Sequence, residues 1–95
     1  MAHYVYMLRC SDGSFYVGQT DDLELRLAEH RLGAGSSWTK RRLPVTLVWS
    51  SGMPSRDQAL AVERQLKGWS RAKKQALVGG DWATIVELAR NRQEG

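Results

Sequence analysis

The chain has little with which to staple itself together: its 95 residues include one cysteine and two prolines. Cys10 has no partner for an internal disulfide, and without a Cys or His cluster no zinc site is expected. Two residues after Leu8 on a strand-like run, Cys10 reads as a small buried apolar residue, with a reactive thiol as the lesser alternative. No apolar run approaches the ~20 residues of a membrane helix and no signal peptide opens the chain, so a cytoplasmic protein without membrane contact is expected. With no repeat and no linker, residues 1–95 read as one domain with a modest core, the body about 3–78 and a last helix about 81–91.

What is present is a basic balance. Fourteen Lys and Arg against ten Asp and Glu give a net charge of +4, which favours a polyanionic partner without choosing one.

The informative stretch is Tyr4 to Arg26, YVYMLRCSDGSFYVGQTDDLELR. Runs of β-branched and aromatic residues flank the turn signal Asp12-Gly13, so two strands of a hairpin are expected. A three-residue loop, Ser11-Asp12-Gly13, needs a left-handed residue in its third place, where Gly13 stands. That register sets Tyr16 opposite Leu8 and Tyr6 opposite Gly18. The tyrosines become diagonal neighbours about 7–8 Å apart at the backbone, and Gly18 is expected to leave an open slot beside Tyr6.

Asp21 and Glu24 have the spacing of a capping box, opening a helix from Asp22 to about Arg31 that Gly33 ends. At ~100° per residue, Leu23, Arg26, Leu27 and His30 share one side. Arg26 reads either as a snorkelling surface arginine or as a cation aimed at the tyrosines; His30 reads either as a packing histidine or as a catalytic one. Leu32 to Pro44 is a long loop that turns basic at Lys40, Arg41 and Arg42. Trp38 beside those cations is either a stacking surface for nucleic acid or a side chain folded onto the core.

Val45 to Trp49 alternates as a third strand, and Ser51 to Pro54 reads as a turn. Ser55 with Gln58 opens a second helix over Arg56 to about Lys67, in which Ala59, Val62 and Leu66 form the buried stripe. Glu63 lies beside that stripe and needs a partner there, either Lys67 one turn on or a metal ion. Ser70 caps a basic helix, Arg71 to about Val78, carrying Lys73 and Lys74; Asp81 caps a last one, Trp82 to about Asn91, before a frayed polar end. The sum is an α/β chain of the α+β type: a small three-stranded antiparallel sheet flanked by helices.

Tyr4-Val5-Tyr6, Tyr16-Val17-Gly18, Arg26 ten residues after Tyr16, and the later helical Glu63 together resemble the GIY-YIG nuclease superfamily, most closely its small UPF0213 or YhbQ-like members. The resemblance covers roughly Tyr4 to Leu77, with two departures: Tyr4 replaces the first motif's glycine, and Gln19 stands where a lysine is common. It implies the GIY-YIG fold and endonucleolytic hydrolysis of DNA phosphodiesters, on branched, flapped or damaged DNA in repair or recombination. One Mg2+ (or Mn2+) is implied on Glu63, an ion content with one or two carboxylates. Tyr6, Tyr16, Arg26, His30 and Glu63 are then the catalytic set. Gly18, Gln19, Trp38, Lys40, Arg41, Arg42, Lys67, Arg71, Lys73 and Lys74 are candidates for holding the nucleic acid. Tyr6 activates water in this reading if a cation lowers its pKa, Arg26 forks onto phosphate oxygens, Tyr16 positions water or phosphate, and His30 relays a proton. The alternatives are a nucleic-acid-binding module that does not cut, and an adaptor whose tryptophans hold an unknown protein partner.

Overall fold

The computed structural model describes residues 2–87. It contains β1 (His3–Arg9), β2 (Phe15–Thr20), α1 (Leu23–Arg31), α2 (Ser37–Lys40), β3 (Thr46–Met53), α3 (Arg56–Lys67) and α4 (Arg71–Val78). A further helix opens at residue 82 behind Asp81, whose carboxylate accepts from the Thr84 amide at 3.1 Å. Its expected run to Asn91 and the frayed end beyond lie outside the described residues.

The sheet is antiparallel in the order β2-β1-β3. As the middle strand β1 is covered on both faces, which explains why Val5, Tyr6, Met7 and Leu8 are buried in unbroken succession. The hairpin has the expected register, Tyr6 opposite Gly18 and Leu8 opposite Tyr16. Its loop closes by the Gly13 amide donating to the Cys10 carbonyl at 2.9 Å, and Gly13 takes φ +82° as that turn requires. Alternation then divides the strands. Val5, Met7 and Val17 face Ala59, Leu66, Ala76 and Leu77 of α3 and α4, while Tyr6, Leu8 and Tyr16 face Leu23 and Leu27 of α1.

Three local expectations are corrected. Asp22, not Asp21, caps α1, accepting from the Leu25 amide at 3.1 Å. The stretch read as a loop holds the short helix α2, because Ser36 caps it through the Thr39 amide at 3.0 Å. β3 runs on through the supposed turn, since Ser51 pairs with Val5 and Gly52 with Tyr4; ladder bonds along β1 outweigh the poor strand propensity of Ser and Gly. Helices α3 and α4 have their expected bounds, capped by Ser55 and Ser70. Cys10 is buried, and that burial pushes its thiol pKa up, the behaviour of a packing residue.

Candidate functional site at the β2 edge

The phenol of Tyr6 is 1% exposed and His30 is 0% exposed, so their polar atoms need partners within the protein. They find each other: Tyr6 Oη lies 2.8 Å from His30 Nε2. Arg26, one turn before His30 on α1, donates from Nε to Tyr6 Oη at 3.3 Å and from Nη2 to the Gly35 carbonyl at 2.7 Å. On the far side of the imidazole, Nδ1 is 3.0 Å from Thr39 Oγ1. Tyr16 packs edge-on against His30, ring centroids 5.1 Å apart, and lies 6.3 Å from the Tyr6 ring.

The expected open slot at Gly18 is not there. A Cβ at position 18 would sit 2.4 Å from Tyr6 Oη, so the phenol itself fills the space. The reason is the register: Gly18 lies directly opposite Tyr6, and the ring leans across β2 over the one residue without a side chain. Gly18 thus makes room for the Tyr6 ring over β2. Glu63 is 18% exposed in its side chain and pairs with Lys67 at 3.6 Å.

Burial raises the Tyr6 pKa, an effect that the Arg26 hydrogen bond opposes and the Tyr16 and Glu63 charges reinforce. The Arg26 cation beside Tyr6 lowers the phenol pKa as the sequence reading required, but burial outweighs it. His30 is shifted the other way: burial first, then the Arg26 charge, lowers its pKa and keeps the imidazole neutral at pH 7. A neutral acceptor thus stands next to a phenol that gives up its proton reluctantly.

Two hollows flank this cluster along β2. One, about 310 Å³, is lined by His3, Gln19, Thr20, Asp21, Arg26 and Arg56. The other, about 240 Å³, is lined by Phe15, Tyr16, Val17, Trp38, Lys67 and Lys74. Gln19 hydrogen-bonds His3 at the first hollow. Lys40 and Arg41 are exposed on α2 and its cap.

The remaining basic candidates are engaged elsewhere. Arg42 stacks its guanidinium 3.9 Å over Trp38 and reaches Asp12 at 3.2 Å, and Trp38 also stacks on Tyr16 with ring centroids 6.0 Å apart. Trp38 thus clamps α2 to the hairpin while 37% of it stays exposed beside the hollow that it lines. Arg71 donates to the Gly13 carbonyl at 2.6 Å and lies over Phe15. Lys73 is 8% exposed with its ammonium 4.8 Å from the Trp69 ring centroid, so burial removes it from the phosphate-binding set expected of α4.

Sequence reading passed over Thr39, Gly35 and Arg56. Thr39 had a signal, since Ser36 stands three residues before it at cap spacing; Gly35 and Arg56 had none, because what they approach lies far along the chain.

Among the described residues no group of three or more His, Cys, Asp or Glu side chains forms a cation cage. A lone carboxylate whose pairing lysine is 55% exposed nevertheless fits a hard cation that keeps most of its water. Among the described residues no helix is long and apolar enough to cross a membrane.

Comparison with known proteins agrees with the sequence resemblance. Residues 2–76 match the GIY-YIG catalytic domain family. A UPF0213 protein of Halalkalibacterium halodurans is 40% identical over 92 residues, 94% of this chain and 98% of its own length. One of Halobacterium salinarum is 44% identical over 75 residues, 79% of this chain and 97% of its own. The solution NMR structure of a UPF0213 protein from Bacillus halodurans gives a TM-score of 0.55 at 43% identity, covering 83% of this chain and 84% of that one. That of a protein from E. faecalis gives 0.59 at 37%, covering 84% and 85%.

Proposed function

The chain belongs to the GIY-YIG family, and from that premise we propose that it is a single-domain endonuclease that hydrolyses DNA phosphodiesters with the help of one divalent cation. The observation that carries the reading is the hydrogen-bonded run Arg26–Tyr6–His30, with the Glu63 charge acting on the same phenol.

Hydrolysis needs a deprotonated water, neutralised phosphoryl oxygens and a stabilised leaving oxygen. As water attacks phosphorus, its proton passes to Tyr6 Oη, which the arriving substrate must uncover because the residue is 1% exposed in the free protein, while the phenol proton passes to His30 Nε2; the P–O bond to the leaving oxygen breaks. The raised Tyr6 pKa is no obstacle, because the phenol accepts and donates in one step without becoming a free phenolate. Of the five guanidinium hydrogens of Arg26, the second on Nη2 is open to a phosphate oxygen, and the two on Nη1 face only the partly exposed carboxylate of Glu29 at 3.9 Å, which a phosphate can replace. Tyr16 borders the imidazole and orients water or phosphate. Glu63 would hold the ion, Mg2+ or Mn2+, and the ion would supply positive charge to the phosphoryl and leaving oxygens.

Lys40, Arg41, Lys67, Lys74 and Arg56 are the cations available to the flanking phosphates, and Gln19 borders the hollow beside Arg26. Branched, flapped or damaged DNA, as met in repair, is the substrate class in keeping with the family. The test is a panel of duplex, flap, branched and single-stranded DNA incubated with Mg2+ or Mn2+, wild type beside Glu63→Ala. Cleavage by the wild type alone is expected. Equal cleavage by both would place the activity elsewhere, and none by the wild type on any substrate would leave a nucleic-acid-binding module.

A further inference from the structure

The proton step just described needs His30 in one tautomer, with Nε2 bare. Nothing in an imidazole by itself guarantees that, so the partner of Nδ1 decides it.

Thr39 is 0% exposed and its hydroxyl is 3.0 Å from Nδ1. That hydroxyl has its own outlet, donating to the Ser36 carbonyl at 3.3 Å, with Ser36 Oγ also at 2.9 Å. Its lone pairs are thus left to accept from the ring. The opposite assignment fails a count. Were Thr39 to donate to Nδ1, Nε2–H would point at Tyr6 Oη, which already accepts from Arg26 Nε; the phenol hydrogen of a residue 1% exposed would then have no acceptor among the described residues.

The ring is also locked in plane. A Cβ at Gly35 would lie 2.3 Å from Nδ1, so the loop backbone presses on the imidazole and a flip requires the loop to open. Loop and helix α2 are in turn tied down by Trp38 on Tyr16, by Arg42 on Asp12 and by the Ser11 amide donating to the Arg42 carbonyl at 2.9 Å.

We propose that Thr39 is a positioning residue: accepting the Nδ1–H of His30, it holds the imidazole in the tautomer whose Nε2 takes the proton of Tyr6. The role rests on the nuclease reading for its purpose, though not for its geometry. The charged and titratable groups facing His30 are Tyr6 from β1, Tyr16 from β2, and Arg26 and Glu29 from its own helix; α2 brings only the neutral Thr39. As proton flow ends on Nε2, the imidazolium keeps its Nδ1–H on Thr39 and no further rearrangement is needed.

The experiment has two readouts on 15N-labelled protein. Long-range proton–nitrogen NMR correlations at neutral pH report which ring nitrogen carries the hydrogen, with His3→Gln separating the two histidines; cleavage is followed against pH in parallel. The wild type is expected to show Nδ1 protonated and Nε2 bare. Thr39→Val, nearly the same shape without the acceptor, is expected to lose that preference, to cut at least about tenfold more slowly and to move the acidic limb of the profile. Thr39→Ser is expected to restore all three.

A wild-type hydrogen on Nε2 overturns the proposal outright, and so does a Thr39→Val protein with unchanged tautomer and unchanged rate. If Thr39→Val does not fold, Thr39→Ser decides: a lost tautomer in a folded protein that keeps the hydroxyl counts against the role. The tautomer is read without turnover. Expected tautomers with no cleavage of any substrate would therefore sink the nuclease reading alone, and cleavage with the opposite tautomer would sink this proposal alone.

Discussion

The two faces of one small sheet are built from alternate residues of the same strands, and they behave as different materials. On the α3–α4 face, Val5, Met7 and Val17 meet Ala59, Leu66 and Leu77, a contact made of apolar area alone. On the α1–α2 face, Tyr6 and Tyr16 meet His30, Arg26 and Thr39, where each buried polar atom has an assigned partner. The first face tolerates any volume-matched apolar exchange; the second depends on donors and acceptors pairing in a single order. Glu63 is the exception that links them, since it stands on a helix of the apolar face yet its charge adds to the rise in the Tyr6 pKa. A β-strand separates stability from chemistry by its pleat, because successive side chains point to opposite faces.

Substitutions on the two faces should accordingly fail in different ways. The largest effect is expected from Glu63→Ala: cleavage falling on the order of 10³-fold, with stability lowered only by the lost pair to Lys67, about 0.3–0.5 kcal/mol. Gel assays beside urea denaturation check both halves. Met7→Ala is its mirror image. It should cost about 3 kcal/mol in the urea curve while the folded fraction keeps its cleavage rate, because a cavity opens where no chemistry is done. Tyr6→Phe comes next, with cleavage down about 10²-fold and roughly 1–3 kcal/mol lost, as His30 Nε2 and Arg26 Nε are left facing a ring edge.

A smaller effect follows from the lowered pKa of His30. The unfolded imidazole takes up a proton below about pH 6.5 while the buried one resists, so this contribution is whole above that value and is lost as pH falls toward the folded pKa. Urea midpoints should drop as pH falls below about 6.5, and less so in His30→Gln; the cleavage rate should fall at lower pH than that, as the lowered folded pKa is approached and Nε2 becomes protonated. Smallest of all is Arg56→Ala, which adjoins the hollow beside Arg26 and touches neither core. It should reduce the slope of log affinity against log salt by about one, measured on the Glu63→Ala protein so that cutting does not intervene.

Much of the architecture was legible in local pattern. The hairpin register followed from Gly13, the bounds of α3 and α4 from serine caps and a 3.6-residue stripe, and the grouping of Arg26 with His30 from one helical face. These are decided by neighbours a few residues apart, so the order of residues carries them.

The rest waited for contacts between elements. Gly18 read as empty space and is filled by the tyrosine opposite it; Trp38 read as either a platform or a packing residue and is in contact with Tyr16 and Arg42; Lys73 read as a candidate phosphate contact and is buried over Trp69. β3 outran its own propensities because β1 offered it a ladder. By itself the sequence determined which side chains share a face, since backbone geometry repeats at fixed intervals. Only the tertiary structure decided which of those side chains were already satisfied by one another and which were left for a substrate, because hydrogen bonds and ring faces are consumed by partners that the chain brings in from far away.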